Sequence, residues 1–307
     1  MTNPTPTGQK FEGVFAILTT PFNRDWSLDE PGLRAHCDFL AAAPVDVVVA
    51  LGTESESYAL TDAERRRVAE VVVEAIAGRK PVICGVSHPS TIESVALARH
   101  AKAAGADAVM SLAPYFVKAG VDGARRHFQA IAGVGIPFFA YNSPGRVGYG
   151  LSPEELDQIA GDAPGMVGIK QAAPDLSELA ALVNTGRIAH VIGGAETVFW
   201  PALSVGARGN TATAASALPA PFAAMWAASE AGDTSRGARV YAALEPLRRA
   251  YRMAGGQAQV VKRLQSLVGL PGGPVRAPLA EVSSAVDAIL RSLLEQIAHE
   301  DELYARV

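Results

Sequence analysis

The chain has 307 residues, 49% of them hydrophobic and 19% charged, which is enough apolar material for a large core and excludes disorder as a description of the whole. A net charge of −4 and a pI near 5.9 exclude the basic footprint of a nucleic-acid or anionic-membrane surface. No apolar run reaches the ~18–20 residues of a membrane span, and the polar first ten residues carry no apolar leader segment, so a cytoplasmic protein is expected. Cys37 and Cys84 lie in apolar stretches without a CxxC or Cys/His spacing and read as reduced core thiols.

In chain order, residues 1–10 read as an extended or disordered tail. Short β-rich runs then recur at Val14–Thr19, Asp46–Leu51, Val82–Gly85, Ala108–Ser111, Phe138–Asn142, Met166–Lys170, His190–Gly193 and Gly209–Thr213, each followed by a segment of helical character. Helix starts carry capping chemistry: Thr61-Asp62-Ala63-Glu64, Ser90-Thr91-Ile92-Glu93 and Ser152-Pro153-Glu154-Glu155 fit the capping box, and Asp175-Leu176-Ser177-Glu178 fits more loosely. Eight alternating units in about two hundred residues predict a closed (β/α)₈ barrel rather than an open sheet. No GxGxxG or GxxxxGK[ST] follows the first strand, which removes the main argument for a nucleotide-binding sheet. From about Leu218 the pattern is helical, broken at Gly269–Pro278, without a linker before it. The expected organisation is a barrel over 11–230 with a helical extension over 231–307 packed on it.

In such a barrel the chemistry sits at the C-terminal ends of the strands. Lys170 closes the apolar run Met166-Val167-Gly168-Ile169. Desolvation there favours the neutral amine that a Schiff-base nucleophile requires, although a lysine paired with a carboxylate would read the same way. Tyr141 closes the preceding strand and can relay protons, or it can be a core tyrosine satisfying its hydroxyl. The turn Asn142-Ser143-Pro144-Gly145-Arg146 offers a guanidinium suited to two-point contact with a carboxylate, or a plain surface arginine. After the second strand, Gly52-Thr53-Glu54-Ser55-Glu56 offers hydroxyl and amide donors. The six histidines lack metal-ligand spacing, so no metal is expected.

Together, Thr20-Pro21-Phe22, Gly52-Thr53 with Glu56, Pro114-Tyr115, Tyr141-Asn142-x-Pro144, Gly168-Ile169-Lys170, Gly193-Gly194 and Arg276-x-Pro278-Leu279 resemble the dihydrodipicolinate synthase/N-acetylneuraminate lyase family, from about Phe11 to the C-terminal helices. The resemblance implies a pyruvate-type 2-oxo acid bound as a Schiff base on Lys170, with Tyr141 as acid/base and Thr53 in its proton relay. It further implies that Arg146 holds the carboxylate of a second substrate and that Gly194 and Thr211 line the site. A tetramer built from tight dimers is implied too, with no metal or organic cofactor. Three departures stand out. Glu54 replaces a hydroxyl that meets the 2-oxo carboxylate, and two anions within ~4–6 Å repel or force one to protonate, so weak affinity for simple pyruvate is expected; Ser55 follows where the family has glycine. Phe116 replaces the tyrosine whose hydroxyl crosses the dimer interface. His88-Pro89 replaces an asparagine, which weakens any carry-over of lysine feedback. The resulting reading is a Schiff-base lyase or synthase acting by aldol cleavage or condensation, on a side branch more than in a lysine pathway. A 2-oxo-3-deoxy sugar-acid dehydratase and a catalytically silent binding protein are the alternatives.

Overall fold

A computed structural model describes residues 11–173 and 175–299. The expected tail at 1–10 and the end of the expected helical extension, 300–307, lie outside the described residues. Eight parallel strands follow one another, β1 to β8, around a closed barrel, and helices complete the (β/α)₈ pattern and extend it at the C-terminal end. By compactness the described residues form two units, one of 13–80 and 212–299, the other of 11–12 and 81–211.

The first unit holds β1 (Gly13–Ile17), α1 (Glu30–Ala42), β2 (Val47–Ala50) and α2 (Asp62–Ile76). The pair β1–β2 runs in register from Phe15↔Val47 to Ile17↔Val49, and every residue of both strands is buried, as expected of a sheet covered on both faces. Asp46 starts β2 by accepting the Val14 amide at 2.8 Å. Thr61 and Glu64 form the expected capping box of α2, each side chain bonding the other's backbone N–H.

The second unit carries β3 (Val82–Gly85), α3 (Thr91–Ala104), β4 (Ala108–Leu112), α4 (Gly120–Ala132), β5 (Phe138–Asn142), α5 (Pro144–Val147), α6 (Pro153–Asp162), β6 (Met166–Gln171), α7 (Leu176–Thr185), β7 (His190–Gly193), α8 (Phe199–Ser204) and, except for its last residue, β8 (Gly209–Ala212). The expected bounds of β3, β5 and β7 coincide with those observed; the others differ by one or two residues at their ends. Asp107 repeats the device of Asp46, accepting the Val82 amide at 2.7 Å. The box Ser152–Glu155 forms with Pro153 at the first helical position. The box expected at Ser90–Glu93 does not form. His88 takes over that entry, its Nδ1 accepting the Ser90 amide and its carbonyl accepting the Ser94 hydroxyl. Asp175 caps α7 through the Ser177 amide, while Glu178 turns away to Gln171 and makes no return bond.

The C-terminal part of the first unit adds α9 (Pro219–Glu230), α10 (Thr234–Ala243), α11 (Glu245–Ala254), α12 (Ala258–Leu267) and α13 (Ser284–Ala298). Cys37 and Cys84 are buried free thiols, each pushed up to about 12 by burial first of all.

Candidate active site

Lys170 and Tyr141 are the penultimate residues of β6 and β5, and they are partners across the ladder. That pairing depends on an irregularity. The ladder begins at Phe138↔Met166 and then skips Val167, so that Phe139 faces Gly168. An unbroken ladder from Phe138↔Met166 would set Tyr141 opposite Ile169. Because side chains alternate with a period of two, Lys170 would then belong to the other face. Gly168 lets the strands close up at this point: a Cβ there would lie 2.2 Å from the Phe139 ring and 2.6 Å from the His190 carbonyl.

The two side chains meet at the strand ends. The Lys170 Nζ stands 4.3 Å from the centroid of the Tyr141 ring, within cation–π range, and the residues are 5% and 6% exposed. Burial pushes the Tyr141 phenol up. The charges of Lys170 and Arg146, with hydrogen bonds to Ser143 and Arg146, outweigh it, and the phenol lies below its ordinary range. A phenol moved in that direction exchanges its proton more readily near neutrality. Arg146 sits on the single turn of α5, which Ser143 starts by accepting the Arg146 and Val147 amides.

The remaining expected residues of this unit fall as follows. The Gly194 amide donates to the Gln171 carbonyl at 2.7 Å, and a Cβ at Gly194 would approach Ala172 to 2.5 Å, so only glycine allows the chain to pass this close to the end of β6. Thr211 is buried near the end of β8, with its hydroxyl 3.4 Å from the Gly193 carbonyl. Phe116 follows β4 with a left-handed backbone (φ +73°) and is 96% exposed. Tyr149 ties the chain beyond Arg146 to the Pro114 carbonyl at 3.0 Å.

In the other unit, Thr53, Glu54 and Ser55 form one 3₁₀ turn after β2. Thr53 and Glu54 are partly exposed, whereas Ser55 is buried. The Ser55 hydroxyl donates to the Leu18 carbonyl and accepts the Gly52 amide. Glu56 ends the turn in the left-handed region (φ +56°) and is fully buried. Its Oε1 lies 2.5 Å from the Lys262 Nζ and its Oε2 accepts the Arg276 amide at 2.8 Å. Lys262 also donates to the Pro274 carbonyl and faces the Phe22 ring. Burial draws the Lys262 ammonium below its ordinary range against the pull of Glu56. Arg276 also lies over the Phe22 ring, 4.1 Å from its centroid, and forks onto Glu64, the capping-box residue, which it holds down at about 2.

The sequence marks Glu56, Asn142 and Arg276 only as motif members and Glu178 only as a capping position, and sequence reasoning passes over Lys262 and Gln171. A signal for Lys262 was present, since it interrupts the apolar run of α12 on a buried face. None marked Gln171, whose partners Asn142 and Glu178 come from two other elements.

Residues 10–297 match the model of the Dihydrodipicolinate synthetase family. The chain is 35% identical over 290 residues to a 4-hydroxy-tetrahydrodipicolinate synthase of Methanospirillum hungatei, covering 93% of this chain and 99% of that protein. It is 36% identical over 296 residues to a synthase of the same name from Thermomicrobium roseum, covering 96% and 97%. Among solved structures, the 4-hydroxy-tetrahydrodipicolinate synthase of Methylacidiphilum fumariolicum superposes with a TM-score of 0.90 at 26% identity over 96% of this chain and 100% of that one. Among the described residues, no helix is long and apolar enough to cross a membrane.

Proposed function

The chain belongs to the dihydrodipicolinate synthetase family, and from that premise we infer that it is an aldolase-like enzyme of the lyase class joining a 2-oxo acid to a second substrate through a Schiff base on Lys170. The observation that carries this is the buried Lys170–Tyr141 pair at the ends of β6 and β5. The Lys170 amine attacks the C2 carbonyl carbon of a pyruvate-type acid, and the carbonyl electron pair moves to oxygen. Tyr141 passes the proton lost by nitrogen to this oxygen, and the proton that the Lys170 ammonium gives up on becoming the free amine completes the water that leaves. A C3 proton leaves the iminium through Tyr141 to give an enamine, whose carbon attacks the second substrate's carbonyl carbon; that carbonyl's electron pair moves to its oxygen, which receives the proton from Tyr141. Hydrolysis then returns Lys170. Thr53 relays the Tyr141 proton and Arg146 holds the second carboxylate. Gly194 and Thr211 line the site, and Glu54 with Ser55 shapes the pocket for the 2-oxo acid.

The names of the relatives favour this synthase-type condensation over a sugar-acid dehydratase, a silent binding protein or a side-branch aldolase. The same proposal includes a barrel over 11–230 with the extension 231–307, and a cytoplasmic homotetramer made of dimers. Exposed Phe116 would lie at its interface without the hydroxyl of a relay. Borohydride reduction with pyruvate and other 2-oxo acids, read by intact mass and peptide mapping, tests the reading. The expected result is one adduct on Lys170 that Lys170→Ala abolishes while the fold is kept. An adduct on another lysine, or none with any acid, refutes it.

A further inference from the structure

We propose that Asn142 is a positioning residue for Arg146, which sets the enzyme's selection for a carboxylate on the second substrate; this rests on the reading of Arg146 as the anchor of that carboxylate. Asn142 is 2% exposed at the end of β5. Its Nδ2 donates to the Leu151 carbonyl and to Gln171 Oε1, both at 2.9 Å, and its Oδ1 accepts the Leu151 amide at 3.2 Å. One side chain therefore bonds both backbone groups of Leu151, as an additional ladder rung would. It closes the neck of the segment 143–150, which contains α5 and Arg146. The neck is held in turn, because Gln171 Nε2 donates to Glu178 on α7 at 2.9 Å.

Lys170 has no need of this side chain. It lies within a ladder bonded on both sides, opposite Tyr141 and Ile192. Arg146 stands on a four-residue turn with its side chain exposed, and beyond the neck the segment is tied by Tyr149 to the Pro114 carbonyl and by hydrogen bonds of Ser143 and Arg146 with the Tyr141 phenol. Losing the Asn142 amide leaves the buried Leu151 amide and carbonyl without these partners and loosens the segment at its neck. A shift of about 1 Å in a positioning group can cost ~10²-fold in rate. The loss should therefore fall on recognition of the second carboxylate and spare the Schiff base.

The test compares kcat/KM for condensation of pyruvate with succinic semialdehyde, which bears a carboxylate, and with butanal, which does not. Wild type, Asn142→Ala, Arg146→Ala and the double variant are measured together with borohydride trapping of pyruvate alone. Asn142→Ala should lower the preference for the charged aldehyde by about 10-fold and leave trapping within about two-fold. The double variant should be no worse than Arg146→Ala, because both changes remove the same interaction. Asn142→Asp keeps the acceptor for the Leu151 amide and loses both donated bonds. It should show the same non-additivity at smaller size, and it carries the test if Asn142→Ala does not fold. Additive losses, or an unchanged preference in both Asn142 variants, overturn the inference. If Arg146→Ala itself leaves the preference as in wild type, the assignment of Arg146 falls instead.

Discussion

Lys262→Met should destabilise the protein by about 3–5 kcal/mol, the range for removing one partner of a buried ion pair. The Lys262 and Glu56 side chains are 2% and 0% exposed, with Nζ 2.5 Å from Oε1. Methionine fills a similar volume, so little of the loss comes from a cavity. Most of it is the carboxylate left buried with one remaining bond, from the Arg276 amide. Glu56→Gln is milder, at about 1–3 kcal/mol, because the amide oxygen still accepts from Arg276 and the ammonium keeps the Pro274 carbonyl and the Phe22 face. The double variant Glu56→Gln/Lys262→Met contains no uncompensated charge and should be more stable than the sum of the singles by about 2 kcal/mol. Glu56 also ends the turn that presents Thr53 and Glu54, with a left-handed backbone held by these contacts. Lys262→Met should therefore also lower pyruvate trapping at temperatures where it is fully folded. Urea unfolding followed by circular dichroism measures the energies, with an unchanged m-value showing that the denatured state is unaffected. A cost below about 1 kcal/mol for Lys262→Met, or strict additivity in the cycle, would refute the account of this pair.

Tyr141→Phe should lower turnover by about 10²–10⁴-fold with the fold retained; turnover within three-fold of wild type would return Tyr141 to a packing role. Glu54→Thr removes a carboxylate and supplies a hydroxyl, and should strengthen pyruvate Schiff-base formation by about 1–3 kcal/mol in trapping titrations. Equal trapping by wild type and variant would show that Glu54 does not face the 2-oxo acid. Burial holds His36 and His127 down at about 4, against 6.5 when free. Between those values the unfolded chain binds more protons than the folded one, so stability falls as pH drops from 6.5 toward 4, by up to about 1.4 kcal/mol per pH unit for each histidine. His127→Gln should flatten that acid slope by one proton in denaturation curves taken across the range; an unchanged slope would show that His127 is already charged in the folded protein.

The elements were legible because their signals are local. The strands β3, β5 and β7 are short runs rich in β-branched or aromatic residues, and the caps at Thr61 and Ser152 are written within four residues of their partners. A lysine and a tyrosine closing successive apolar strands are likewise visible in the chain, which is why Lys170 and Tyr141 could be named from it. The departures began where distant residues compete for the same groups. Ser90 carries the right cap sequence, yet His88 satisfies that helix entry. Glu178 matches a capping position and is drawn to Gln171. Glu64 keeps its cap and also meets Arg276, which lies 212 residues further on.

What the sequence by itself determined was the order of strands and helices, the family resemblance and the candidate nucleophile, because propensity, capping and motif spacing act over a few residues. Tertiary structure alone decided that the β5–β6 ladder skips Val167 and so sets Tyr141 opposite Lys170. It also decided that Glu56 is buried against Lys262 and the Arg276 amide, across 220 residues of chain in the second case. Register and buried charge pairing depend on which strands and helices come together, since a ladder accepts a slip and a carboxylate accepts any nearby donor until packing removes the alternatives.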